Sequence, residues 1–194
     1  MVWAWGANQY GQLGDGSIGA DRSQPAPVPG LPPVAAIAGG VYAATAVTTD
    51  GGVWAWGLED IVFTGDDPSL CGQLGSPPDL SDGVVIPTPE DFGLIDGQPA
   101  QTLVWPTPRH VPGLPTITAI AANGAPLRNW SNLALDTSGN IWQWGETLNH
   151  LLDLSAPPGA FCSQTPSILS GLTGITAIGL GRDSGYAIQG PPTL

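Results

Sequence analysis

The sequence predicts an all-β chain made of β-propeller blades, on three observations. Val2-Trp3-Ala4-Trp5-Gly6 returns as Val53-Trp54-Ala55-Trp56-Gly57 and as Ile141-Trp142-Gln143-Trp144-Gly145. Two further markers keep a fixed order around it. Pro29-Gly30-Leu31, Pro112-Gly113-Leu114 and Ser170-Gly171-Leu172 are each followed, six residues after the leucine, by Ile37, Ile120 and Ile178. Ala46-Val47, Ala134-Leu135 and Ala187-Ile188 come next. The third observation is compositional: 28 glycines and 21 prolines in 194 residues oppose a helical bundle or coiled coil. Short strands with Gly/Pro turns, repeating about every 50 residues, are the pattern of propeller blades.

The elements follow in order. Val34 to Ala38 is a small apolar strand, and Tyr42 to Thr48 is rich in β-branched and aromatic residues. Asp50-Gly51-Gly52 is a turn signal before the strand Val53 to Trp56, and Ser138-Gly139-Asn140 fills the same place before Ile141. The repeats divide one domain, 1–194, into three units, about 2–52, 53–140 and 141–194. Unit two is the longest, and its extra residues lie mostly in 58–106. That stretch holds nine of the 16 acidic residues and no basic one. Within it, Val84-Val85-Ile86 and Thr102-Leu103-Val104-Trp105 are expected to pair as a hairpin outside the ring, and deletion of 76–104 is expected to leave folding intact. The chain ends at the repeat position where it begins, so it is read as a whole number of units. Three blades are too few to close a propeller. The chain is therefore expected to be a partial propeller or one part of an oligomeric ring.

The run Trp5-Gly6-Ala7-Asn8-Gln9-Tyr10-Gly11-Gln12-Leu13-Gly14-Asp15-Gly16 closely resembles the signature of the regulator of chromosome condensation repeat. Ile37-Ala38-Gly39-Gly40 and Ala46-Val47-Thr48-Thr49-Asp50-Gly51 also fit its consensus. In unit two only Cys71-Gly72-Gln73-Leu74-Gly75 survives of the signature. In unit three Leu148 to Asp153 replaces it. The resemblance implies a propeller, usually of seven blades, that serves as a platform for binding other proteins.

Charge narrows the partners. The net charge is −12, all four basic residues are arginine, and lysine is absent. Such a chain has little to exchange for counterions on a phosphate backbone, so nucleic acid is not an expected partner, and neither is an anionic membrane surface. The sparse charge, many tryptophans and two cysteines fit an extracellular or cell-surface protein.

Candidate chemistry is sparse. Trp3 and Trp5, Trp54 and Trp56, and Trp142 and Trp144 sit at i and i+2. Each pair shares one strand face and reads as packing between blades rather than a sugar-stacking ring. Cys71 and Cys162 fall in equivalent loops of neighbouring units, so they are read either as a disulfide or as two thiols. Two cysteines and two histidines make no recognisable zinc site, and Asp15 with Asp21, or Asp66 with Asp67, lack the spacing of a calcium loop. His110 and His150 stand in no catalytic motif, so no cofactor, metal or catalytic residue is expected. What differs between units is the loops. The favoured function is therefore a non-enzymatic protein-interaction or ligand-recognition module. Its expected contact residues are Asp15, Asp21 and Arg22 in the first loop and Asp66, Asp67 and Asp91 in the acidic insertion. The alternatives are a structural subunit that assembles, as a homo-oligomer, through open blade faces into a ring or fibre, and a polysaccharide-active enzyme.

Overall fold

A computed structural model describes residues 1–63, 72–76, 83–87, 100–123, 131–146, 162–182 and 184–191. Thirteen strands and no helix are present among them. These are β1 (Trp3–Gly6), β2 (Arg22–Pro27), β3 (Val34–Gly39), β4 (Ala43–Thr48), β5 (Val53–Phe63), β6 (Val84–Pro87) and β7 (Ala100–His110). They continue with β8 (Ile117–Ala122), β9 (Ser131–Asp136), β10 (Ile141–Glu146), β11 (Cys162–Ile168), β12 (Ile175–Leu180) and β13 (Gly185–Gln189).

The strands form four antiparallel sheets. Two are complete blades, ordered β3-β4-β5-β7-β6 and β8-β9-β10-β11. Two are half-blades, β1-β2 and β12-β13. The markers read from the sequence meet one another across these sheets. Ile37 lies opposite Ala46, and Ala46 opposite Trp54. Ile120 lies opposite Ala134, and Ala134 opposite Trp142. Ile178 lies opposite Ala187. A repeat in sequence is thus a row in space, fixed by strand register.

Each blade is bent in the same two places. The first strand shifts register between Val34 and Ala36, Ile117 and Ala119, and Ile175 and Ala177. The tryptophan strand shifts where its glycine stands, before Gly6, Gly57 and Gly145. Those glycines have φ of 107°, 106° and 84°, a region that side chains disfavour. Bulges of this kind raise local twist, which a propeller blade requires.

Neighbouring blades are joined by repeated contacts. The Ile117 N–H donates to Gly51 O at 3.0 Å, and the Ile175 N–H donates to Gly139 O at 3.2 Å. In both cases the turn of one blade is bonded to the first strand of the next. The main core lies between the complete blades, with Val47, Val53, Ala55 and Trp105 against Ile117, Ala134 and Trp144. A second core, Leu133, Leu135, Ile141 and Ile175, lies between β8–β11 and β12–β13.

Two expectations change here. Val84, Val85 and Ile86 do pair with Val104, Leu103 and Thr102. The pair is not a hairpin clear of the ring, because β7 is an integral blade strand hydrogen-bonded to β5. Thr102, Leu103, Val104 and Trp105 are buried. Removing 76–104 would take out core side chains, so it cannot leave folding intact.

Candidate functional site

The loop from Ala7 to Asp21 is the best-defined variable element. It is built around Asn8, which is fully buried. Its Oδ1 accepts from the Leu13 N–H at 3.0 Å, and its Nδ2 donates to Ser17 O and Oγ. Its own N–H donates to Asp21 Oδ1 at 3.0 Å. Asp15 accepts from the Ser17 N–H and hydroxyl and forms an ion pair with Arg22. Burial alone would raise the Asp15 pKa. The donors of Ser17 and the Arg22 guanidinium outweigh it and hold the carboxyl below its ordinary value. Asp15, Asp21 and Arg22 therefore come together as one small network, with Asp21 the most exposed of the three.

The same loop seats on the next blade. Gly16 N–H donates to Pro106 O at 2.8 Å. Tyr10 is buried with Leu58 and Val104 and meets Tyr42 edge-on, with ring centroids 4.7 Å apart. Gly11 and Gly14 allow close approach: a Cβ there would lie 2.8 Å from Pro106 Cα and 2.6 Å from Trp56 Nε1.

Unit two repeats this clip. A Cβ on Gly72 would lie 2.6 Å from Gln164 Cα, and one on Gly75 would lie 2.9 Å from Trp144 Nε1. Glu59 stands where Asn8 stands, three residues after the second tryptophan. Its Oε2 accepts from the Leu74 N–H at 2.8 Å, as Asn8 Oδ1 accepts from Leu13. Glu59 is fully buried, so it does not belong to the solvated acidic lobe in which composition places it. Sequence reasoning missed this pairing, although the fixed offset from the tryptophan was there to be read. The donors also exchange roles. Trp56 Nε1 donates to Gln12 O, whereas in the next blade Asn132 Nδ2 donates to the equivalent Gln73 O.

The tryptophans divide by position. Trp56 and Trp144 are 2% and 1% exposed, Trp54 and Trp142 are half-buried, and Trp3 and Trp5 are exposed. His110 packs edge-on against Trp54 at 5.8 Å between centroids. The Arg109 guanidinium lies 3.5 Å from the centroid of the Trp105 ring, a cation–π stack. Asp66, Asp67, Asp91, Cys71 and His150 lie outside the described residues. Cys162 opens β11, but its side chain is not described.

Asp136 is a heavily engaged carboxylate. It accepts from the N–H groups of Ser138 and Asn140, from Asn140 Nδ2, and from Trp142 Nε1 at 3.0 Å. Burial by itself would raise its pKa. The Trp142, Asn140 and Ser138 donors overcome that and lower it. A carboxyl whose folded value is depressed stabilises the fold above the unfolded value, near ~3.9, and loses that contribution as pH falls through the folded value. Asp136→Asn is expected to lower stability at pH 7 by about 1–3 kcal/mol. It should also flatten the acid limb of a stability–pH curve below pH ~4. Urea unfolding at several pH values checks both.

Repeated antiparallel sheets of one strand order, clipped edge to edge by glycine-rich loops, define a β-propeller repeat protein. Residues 1–47 match the family model for the regulator of chromosome condensation (RCC1) repeat, so the first unit is an RCC1-type repeat. The Regulator of chromosome condensation of Xenopus laevis is 41% identical over 57 residues, which is 29% of this chain and 13% of that protein. Among solved structures, yeast RCC1 (Prp20) bound to Kap60 superposes with a TM-score of 0.64 at 18% identity, over 98% of this chain and 38% of that one. Prp20p from Saccharomyces cerevisiae, described with its binding to Gsp1p and histones, gives 0.63 at 18% identity over 98% and 40%. Human WBSCR16 gives 0.61 at 18% identity over 97% and 40%. The fold is therefore that of RCC1-type propellers, and the chain spans about two-fifths of their length or less.

Proposed function

We propose that the chain is a non-enzymatic protein-interaction module, with contacts made by loops carried on the blades. The carrying observation is the division of labour between repeated and unrepeated residues. Every feature that recurs from blade to blade, namely the Ile–Ala–Trp rows, the bulged glycines and the glycine clips, is used in packing or hydrogen bonding. The loops between the tryptophan strand and its outer neighbour differ in length and charge from unit to unit. A rigid scaffold with unlike loops is suited to recognition. The related Prp20 structures, one with Kap60 bound and one described with Gsp1p and histones, give the reading a precedent in proteins of this fold.

The acidic charge favours a partner with a basic surface. Core histones serve as the probe. Binding should weaken as salt rises and fall at least tenfold when Glu90, Asp91 and Asp96 are replaced together by Gln, Asn and Asn, a change that keeps the connection from β6 to β7 at its full length. Titration calorimetry at two ionic strengths reads both effects. Unchanged affinity after the triple substitution would remove Asp91 and its acidic neighbours in 88–99 from the contact surface.

A further inference from the structure

We propose that the outer edge of β6 is a docking site for an extended, basic segment of a partner protein, which adds to the blade as a further strand. Strand addition needs a row of backbone N–H and C=O groups, and proline removes the N–H. The strand outside each tryptophan strand carries proline: Pro25 and Pro27 in β2, Pro106 and Pro108 in β7, and Pro166 in β11. Those edges are blunted against further pairing. β6 joins β7 where the prolines are absent, opposite Gln101 to Val104, and stops short of Pro106. The insertion thus moves the edge of this blade from a proline-bearing strand to Val84-Val85-Ile86, which holds neither proline nor charge.

β6 is anchored well enough to serve as a template. Ile86 packs on the core of Tyr10, Leu58 and Val104. The β7 residues opposite it, Thr102 to Val104, are buried. Val84 and Val85 are 42% and 40% exposed. Adjacent strand residues face opposite ways, so an apolar side chain borders the edge on each face of the sheet. β6 ends its sheet, and no strand among the described residues pairs with its outer side. Edge strands are ordinarily protected by lysine, proline or a bulge. β6 has no lysine, no proline before Pro87, and a pairing with β7 that runs without a register shift.

Charge selects the occupant. In the sequence Asp82 stands two residues before Val84, and Glu90 and Asp91 stand three and four residues after Pro87. No basic residue occurs anywhere in 58–106. A second copy of β6 would bring the same carboxylates to the same edge, so like charge opposes self-pairing. A segment with β-branched residues at its centre and Lys or Arg on both sides satisfies the edge and its flanks together. The inference rests on the loop reading for the charge of the partner and adds the mode of contact: main-chain hydrogen bonds supply affinity, and the acidic flanks supply selection.

The probe is a synthetic peptide of alternating valine and threonine with Lys-Arg at each end, titrated into the full chain by calorimetry. A Kd of ~100 µM or tighter is expected. An added strand uses the N–H groups of alternate residues. N-methylation of every second core residue should therefore weaken binding at least about tenfold in one phase and largely spare it in the other. Val84→Lys combined with Val85→Lys, both at exposed positions, should also weaken it at least about tenfold, because two cations then face the cations of the peptide. The methylated peptides use the unaltered chain, so this arm holds whatever the lysine variant does to folding. Replacing Glu90, Asp91 and Asp96 as above should weaken the peptide through charge and leave the contrast between the two methylation phases in place. Failure of the loop reading and failure of strand pairing are thereby told apart. Equal binding of the two methylated peptides would overturn the proposal. So would no binding at ~100 µM, or parent-like binding by a folded lysine variant.

Discussion

Trp144→Ala is expected to lower the unfolding free energy by about 3–5 kcal/mol, the range for removing a fully buried aromatic side chain. Trp144 is 1% exposed and sits in the core between the two complete blades, beside Val53, Trp105 and Val111. The glycine clip of unit two lies directly on its indole, so collapse of the clip into the cavity offers limited relief. Trp142→Ala, two residues earlier on the same strand, should cost less. Its ring is half-buried, and its main fixed partner is the Asp136 carboxylate. Chemical denaturation of the two variants, compared at their midpoints, checks the ordering. Equal losses would mean that the seam between blades does not hold the second tryptophan more tightly than the first.

Gly57→Ala is expected to cost about 3 kcal/mol, from a positive-φ strain of roughly 1–2 kcal/mol and a steric cost of similar size. Gly57 has φ of 106°, and its added Cβ would lie 2.4 Å from Tyr42 O and 2.8 Å from Ala43 Cα. Both are backbone atoms at the start of the neighbouring strand β4, Tyr42 just before it and Ala43 its first residue, so no side chain can rotate to make room. Gly30→Ala is the matched control. Its φ is 79° and nothing lies within 4 Å of the added atom, so only the conformational strain of about 1 kcal/mol remains. The difference between the two, read by thermal or urea unfolding, isolates the crowding at the bulge.

Much of the fold was legible in the residues because a repeat prints each contact several times. The isoleucine, alanine and tryptophan markers are conspicuous in the sequence because they lie opposite one another in each sheet. The turn glycines 30, 113 and 171 share φ of 79°, 79° and 90°, which explains their recurrence in a run of otherwise changing residues. What escaped the sequence was the pairing of unlike residues in like roles. Asn8 and Glu59 cap the N–H groups of equivalent leucines, Leu13 and Leu74, but one is amide and the other acid, so composition counts Glu59 with the solvated carboxylates. The stretch Thr102 to Trp105 was misplaced for a related reason. The inserted residues precede it, and they conceal that it completes a blade begun at Val34. The contact loops were the least legible of all, because a loop that differs in every unit gives no second copy against which to check it.

The clip formed by Gly72 to Gly75 bears on how the second unit accommodates its extra length. It presses on Gln164 and Trp144 partway along the inserted stretch and so pins it at an interior point. With β6 held on β7 as well, one long excursion becomes three shorter ones, each with both ends held by the scaffold. Closing three short loops restricts the chain locally and leaves the sheets out of the exchange, since the entropy of closure grows only slowly with length. Residues could be gained or lost on either side of that anchor independently, with the neighbouring blade unmoved.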